Sequence, residues 1–196
     1  MSNIAKRKAK TQTLVLGAVL TALVIILQFM GTFIRFGPFQ ISLVLIPIVI
    51  GASTCSVGIG AWLGFVFGAV VLLNGDATVF MQIDPMGTII TVLAKGIACG
   101  FVAGIVYKAL EKINRYLAVI AAAIICPIVN TGIFLLGCLV FFLEAITEWG
   151  VGLGFNNVTS YMFLGLVGGN FLVELASNVI LSPVIIRILK FGKKTI

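Results

Sequence analysis

Stretches of about twenty almost purely apolar residues recur along this chain, and they limit what it can fold into more than any other feature. A segment that crosses a bilayer has to satisfy every backbone N–H and C=O internally, which a helix of about 20 apolar residues does. The stretches read as six spans, at roughly 12–30, 38–54, 57–73, 87–107, 117–143 and 161–187. With 61% of its 196 residues hydrophobic and only 10% charged, the chain cannot cover a soluble domain with polar surface. The expected architecture is all-α: one domain over residues 1–196, a bundle of six transmembrane helices. Spans two and three are separated only by Ser53 to Ser56 and should form a tight helical hairpin.

The basic residues give the bundle a direction. Lys6, Arg7, Lys8 and Lys10 precede the first span. Lys108, Lys112 and Arg115 lie between spans four and five, and Arg187, Lys190, Lys193 and Lys194 follow the sixth. These eleven of the thirteen basic residues fall on one side, which the positive-inside rule makes cytoplasmic. The opposite connections hold Arg35 as their only basic residue, beside Asp76, Asp84, Glu144 and Glu148. Both termini are therefore expected in the cytoplasm, with the protein multi-pass in a bacterial plasma membrane. The net charge of +7 is accounted for by anchors against anionic membrane lipid, so no nucleic-acid partner is inferred. The basic start resembles a secretory signal, but its apolar run is too long and ends in no small-residue cleavage site, so it reads as a retained first helix.

Within the apolar segments, polar side chains stand out. Lys95 sits about eight residues into span four and Glu174 about thirteen into span six, near 12 Å and 19 Å deep at about 1.5 Å per residue. A charge at such depth costs at least ~2.5–3.5 kcal/mol and normally faces the protein interior. Asn170, Glu174 and Asn178 recur at four-residue spacing and share a helix face. Asn130 and Thr131 lie mid-way along span five, just after Pro127. Together they outline a water-accessible cavity in which the lysine suits a carboxylate or phosphate and the asparagines suit hydroxyls or amides. The competing reading is a buried Lys95–Glu174 pair with interhelical asparagine bonds. Two outer connections, Asn74 to Pro85 and Glu144 to Ser160, mix glycines with aromatics. They are read either as lids over a ligand or as interfacial elements, with Trp149 the residue most exposed to that choice.

Small residues recur every four positions: Ala18 and Ala22 in span one; Gly60, Gly64 and Gly68 in span three; Gly96, Gly100 and Gly104 in span four. That spacing brings backbones close. For spans three and four internal packing is the expectation. Ala18 and Ala22 could instead receive a partner helix. Cys55, Cys99, Cys126 and Cys138 show no metal or disulfide spacing and read as small apolar packers; without a single histidine, a transition-metal site is not expected. No phosphate-binding Gly-x-x-x-x-Gly-Lys-Ser/Thr loop and no catalytic constellation is present, so neither an ATPase nor an enzyme is expected, and no resident cofactor.

The whole chain resembles the substrate-binding S components of energy-coupling factor (ECF) vitamin transporters. The resemblance rests on about 200 residues in six spans, the span-one Ala18-x-x-x-Ala22, the apolar Ile41–Ala52 run and the glycine-rich third span. It implies a substrate pocket near the extracellular side, built from spans four to six and the outer loops. It further implies docking through span one onto a transmembrane scaffold subunit, two cytoplasmic ATPase subunits as the energy source, and toppling of the S component to deliver its ligand. Lys95 with asparagines suits a small hydroxylated anion, which makes pantothenate the first candidate and riboflavin or a pyridoxine-type compound the next. The expected substrate site is Lys95, Asn130, Thr131, Asn170, Glu174 and Trp149, and the expected docking pair is Ala18 and Ala22. The alternative is a stand-alone channel or secondary carrier that uses Lys95 and Glu174 as a gate.

Overall fold

The computed structural model describes residues 3–31, 35–36, 39–40 and 43–194. In chain order it runs through α1 (Asn3–Gly31), the two-residue strands β1 (Arg35–Phe36) and β2 (Phe39–Gln40), α2 (Leu45–Thr54), α3 (Val57–Leu73) and α4 (Thr78–Ile83). It continues with α5 (Pro85–Leu110), α6 (Arg115–Phe141), α7 (Leu143–Gly152), α8 (Val158–Ser160), a π-helical turn at Tyr161–Leu166 and α9 (Gly168–Lys194). The fold is helical apart from β1 and β2, which pair antiparallel. Thr11–Gly31, Pro85–Leu110, Arg115–Phe141 and Gly168–Arg187 are each long and apolar enough to cross a membrane; α2 and α3 are apolar but shorter.

Local chemistry sets the helix boundaries. Ser56 ends the α2–α3 turn by accepting a hydrogen bond from Ile59 N–H at 3.1 Å. Asp84 caps α5 by accepting from Gly87 N–H at 2.9 Å, with Pro85 in the first turn, where its missing N–H costs nothing. Asn114 caps α6 through Tyr116 and Leu117 N–H. Gly75 makes the turn after α3 with φ +86°, a conformation that L side chains avoid.

The second span differs from expectation. Instead of a helix over 38–54, α2 begins at Leu45 and has ten residues, about 15 Å of rise. Pro47 supplies the reason: it is accepted in the first turn of α2, whereas a helix beginning at residue 38 would hold it in the interior and lose a backbone bond. Residues 38, 41 and 42 of the expected span lie outside the described residues. Helix α2 is apolar all round and packs against α1, α3, α5, α6 and α9, so it is a buried central strut. The sixth span also differs, because Tyr161–Leu166 is π-helical and Val167 interrupts the run before α9. The connections 74–85 and 144–160 both contain helix, α4 in the first and α7 with α8 in the second.

The centre of the bundle is the α3–α5 contact. A Cβ on Gly64 would fall on the carbonyl oxygen of Gly96, and one on Gly96 on the carbonyl oxygen of Gly64. Gly60 and Gly100 face each other in the same way; a Cβ on Gly68 would lie 2.9 Å from Val92 O and one on Gly104 2.9 Å from Val57 Cα. The two four-residue glycine rows are thus one seam, as the spacing predicts for internal packing. Cys99 and Cys126 are fully buried in the surrounding core, and Cys138 is fully buried in a second apolar cluster. Large apolar side chains such as Ile26, Phe29, Leu136, Leu172 and Ile180 point outward, as expected of lipid-facing helix surfaces.

The seam gives a direct test. Gly64→Ala pushes a methyl into backbone that cannot rotate away, so it should destabilise the detergent-solubilised protein by at least the ~1–3 kcal/mol typical of overpacking. Gly132→Ala, with nothing within 4 Å of the added Cβ, should change stability by less than ~1 kcal/mol and toward greater stability. Thermal unfolding of the two variants side by side measures the difference.

Candidate functional site

A cavity of ≈ 280 Å³ lies among α1, α3, α4, α5, α6 and α9. That is close to the lower end of pockets that take small organic ligands, about 300–1,000 Å³. Lys95 from α5, Asn130 and Thr131 from α6, and Asn170 and Glu174 from α9 all line it. The π-helical turn contributes Leu166, and the break that follows contributes Val167. Phe67, Phe80, Phe134 and Phe171 supply apolar walls, and Gln28 and Asp76 complete the polar ones.

Each polar residue reaches the cavity for a local reason. Lys95 adjoins Gly96, and Phe67 adjoins Gly68, so the glycine seam that draws α5 onto α3 also sets this lysine against this ring. The Lys95 ammonium lies 5.6 Å from the ring centre of Phe67 and 5.2 Å from that of Phe134, within cation–π range. Glu174, 4% exposed, accepts from Asn170 Nδ2 at 3.4 Å and has the Asn130 side chain as a second polar neighbour. Asn178, on the same helix face, is tied instead to the backbone, donating to Glu174 O at 2.9 Å, and does not line the cavity. Asn130 Oδ1 and Asn170 Oδ1 are buried with no hydrogen-bond partner, a state that costs about 1–3 kcal/mol per group when nothing occupies the site.

Lys95 and Glu174 therefore share a cavity and attract one another, but each has its own immediate neighbours. Among the described residues no ion pair within 4 Å joins them. At the far side, Asp76 Oδ2 accepts from Gln28 Nε2 at 2.8 Å and from Asn74 Nδ2 at 2.7 Å, linking α1 to the turn before α4.

Trp149 is the expected site residue that the cavity does not include. It sits in a second apolar cluster with Cys138, Phe142, Ile146, Tyr161 and Met162, and it packs edge-on against Phe80 at 5.8 Å. Phe80 also meets Phe134 at 5.6 Å and Phe142 at 5.0 Å, so Trp149 braces a wall residue instead of forming the wall. Sequence reasoning missed Gln28 and Asp76. Gln28 was readable, as an amide deep inside the first apolar run, whose other amide, Gln12, stands at its start. Phe67, Phe80 and Phe134 carried no such signal, being apolar residues among apolar residues. Ala18 and Ala22 are exposed on α1, while Gly17, Leu20, Val24 and Gln28 turn the other face inward.

If Lys95 and Glu174 formed a structural pair, removing one partner would cost about 3–5 kcal/mol. The geometry predicts a different result: Lys95→Met, which keeps the volume and removes the charge, should leave the ligand-free protein within ~1 kcal/mol of wild type or more stable. Denaturation of the ligand-free variant in detergent decides between the two.

A family profile described as "ECF transporter, substrate-specific component" matches residues 12–188. No curated protein and no solved structure matches significantly. The match takes in every helix that lines the cavity and the exposed face of α1. The chain is a multi-pass membrane protein, and it belongs to the family of substrate-specific components of ECF transporters.

Proposed function

We propose that this protein is the high-affinity binding subunit of an ATP-driven importer for a small water-soluble vitamin or related micronutrient, and that the cavity is its substrate site. The observation that carries the reading is a cavity of ligand size into which the membrane-embedded Lys95 and Glu174 both open without bridging each other. Lys95 would hold a carboxylate or phosphate; Asn130, Thr131, Asn170 and Glu174 would bind hydroxyl, amide or amino groups. Trp149 would act through Phe80. Pantothenate combines a carboxylate with hydroxyls on a small frame and is the first candidate, with riboflavin and pyridoxine-type compounds next.

In this reading the bundle crosses a bacterial plasma membrane six times with both termini in the cytoplasm, α2 and α3 serving as the two short spans. The exposed Ala18 and Ala22 would seat a helix of a transmembrane scaffold subunit, and two cytoplasmic ATPase subunits would supply the energy. Small residues on an exposed face suit close helix approach, which supports that assignment.

Calorimetry and native mass spectrometry of the purified chain against B vitamins and their precursors test the binding. A single compound should bind tightly, and Lys95→Met should weaken an anionic ligand by ~1.5–3 kcal/mol, the range for a charge-assisted hydrogen bond. Ala22→Trp should leave that affinity unchanged and lower ATP-driven uptake in cells that hold the partner subunits. Solute flux through liposomes containing this chain alone, with no tight binding, would instead support a stand-alone carrier.

A further inference from the structure

Glu174 has two amide side chains as neighbours, Asn170 from its own helix and Asn130 from α6. Asn170 donates its Nδ2 to Glu174 Oε1 at 3.4 Å, and Asn130, whose Oδ1 has no partner, reaches the same carboxyl through its Nδ2. Asn130 Oδ1 and Asn170 Oδ1 are both buried and both lack a donor, although Asn130 is only 5% exposed and buried amides are ordinarily satisfied. All three residues line the one cavity. The groups left over around Glu174 are thus acceptors: two amide carbonyls and the remaining lone pairs of a carboxylate. Lys95, the cavity's cation, is held by the faces of Phe67 and Phe134, which accept no proton and leave its N–H groups to the cavity.

We propose that the substrate carries a hydrogen-bond donor, a hydroxyl or a protonated amine, that seats among Glu174, Asn130 and Asn170, in addition to the acceptor or anionic group that Lys95 takes. The inference rests on the reading of the cavity as the substrate site and narrows its ligand class. A molecule with acceptors alone would satisfy Lys95 and leave the Asn130 and Asn170 carbonyl oxygens without a donor. A bifunctional molecule supplies the missing donor at that end, with its apolar portion against the phenylalanines. Glu174 and the two asparagines then select for the donor, because a ligand lacking it leaves buried acceptors unpaired, the strongest form of discrimination that a site of this size has.

The test uses the whole purified chain and matched probes: pantothenate and its analogue with both hydroxyls replaced by hydrogen, riboflavin and lumiflavin, and pyridoxine and pyridoxamine each against 4-deoxypyridoxine, every analogue lacking hydroxyls or an amine that its parent carries. For whichever parent binds, the analogue lacking the donor should bind at least 10-fold more weakly to wild type. Glu174→Gln should shrink that ratio; it should weaken a hydroxyl parent by less than about 10-fold and an aminated one by 100-fold or more, which separates the two kinds of donor. Equal affinity of parent and analogue for wild type overturns the inference while leaving the binding-subunit reading intact. So does a ratio that Glu174→Gln does not change. Absence of binding by every parent to folded protein overturns both. Should Glu174→Gln fail to fold, the wild-type comparison of parent and analogue still decides.

Discussion

Gly64 and Gly96 meet backbone to backbone, and the site depends on that contact. With a side chain on either, α3 and α5 would have to move apart. Phe67 would then leave Lys95, and the cavity would lose the ring that faces its cation. The same seam, continued through Gly60, Gly100, Gly68 and Gly104, forms the middle of the bundle, where lipid-soluble helices gain nothing from hydrophobic burial and rely on close van der Waals contact. Glycine is a poor choice for helix propensity in water. Here its lack of a Cβ is what allows the approach.

The ligand-facing chemistry follows from how the charges are housed. In a bundle held together by the seam, Lys95 and Glu174 could have neutralised each other. Instead the lysine lies between two phenyl faces and the glutamate between two amides, so each keeps hydrogen-bonding capacity toward the cavity. Membership of the substrate-specific component family agrees with a cavity kept open in this way. The α1 helix divides its work similarly, with Gln28 turned to Asp76 and the cavity while Ala18 and Ala22 face outward.

Much of this was legible in the sequence for identifiable reasons. Glycine spacing announces close packing, because only one residue type lacks a Cβ. A lysine or glutamate inside an apolar run announces an interior site, because lipid excludes it. Five of the six expected substrate residues line one cavity on those grounds. Trp149 lies behind Phe80 and not in the lining, a difference that sequence position near a site does not register. The short α2 was hidden because Ile41–Ala52 is apolar throughout and hydropathy does not register where a helix starts; Pro47 was the only clue. The π-helical turn had no clue of comparable strength, since its Tyr-Met-Phe-Leu-Gly-Leu sequence would also serve in an ordinary helix.

The cavity has walls of unequal stiffness. On the α3–α5 side two backbones touch and no intervening side chains can rotate to absorb a displacement. On the other side stand the six-residue α4, the wider π-helical turn and the interruption at Val167, where hydrogen bonding changes register. A force applied from inside is therefore borne unevenly. Lys95 stands on the side where the backbones touch, and Phe80, Leu166 and Val167 stand on the other. In mechanical terms the cavity is a vice with one braced jaw, where two backbones touch, and the facing jaw is built from short helical pieces with Asp76 beside them.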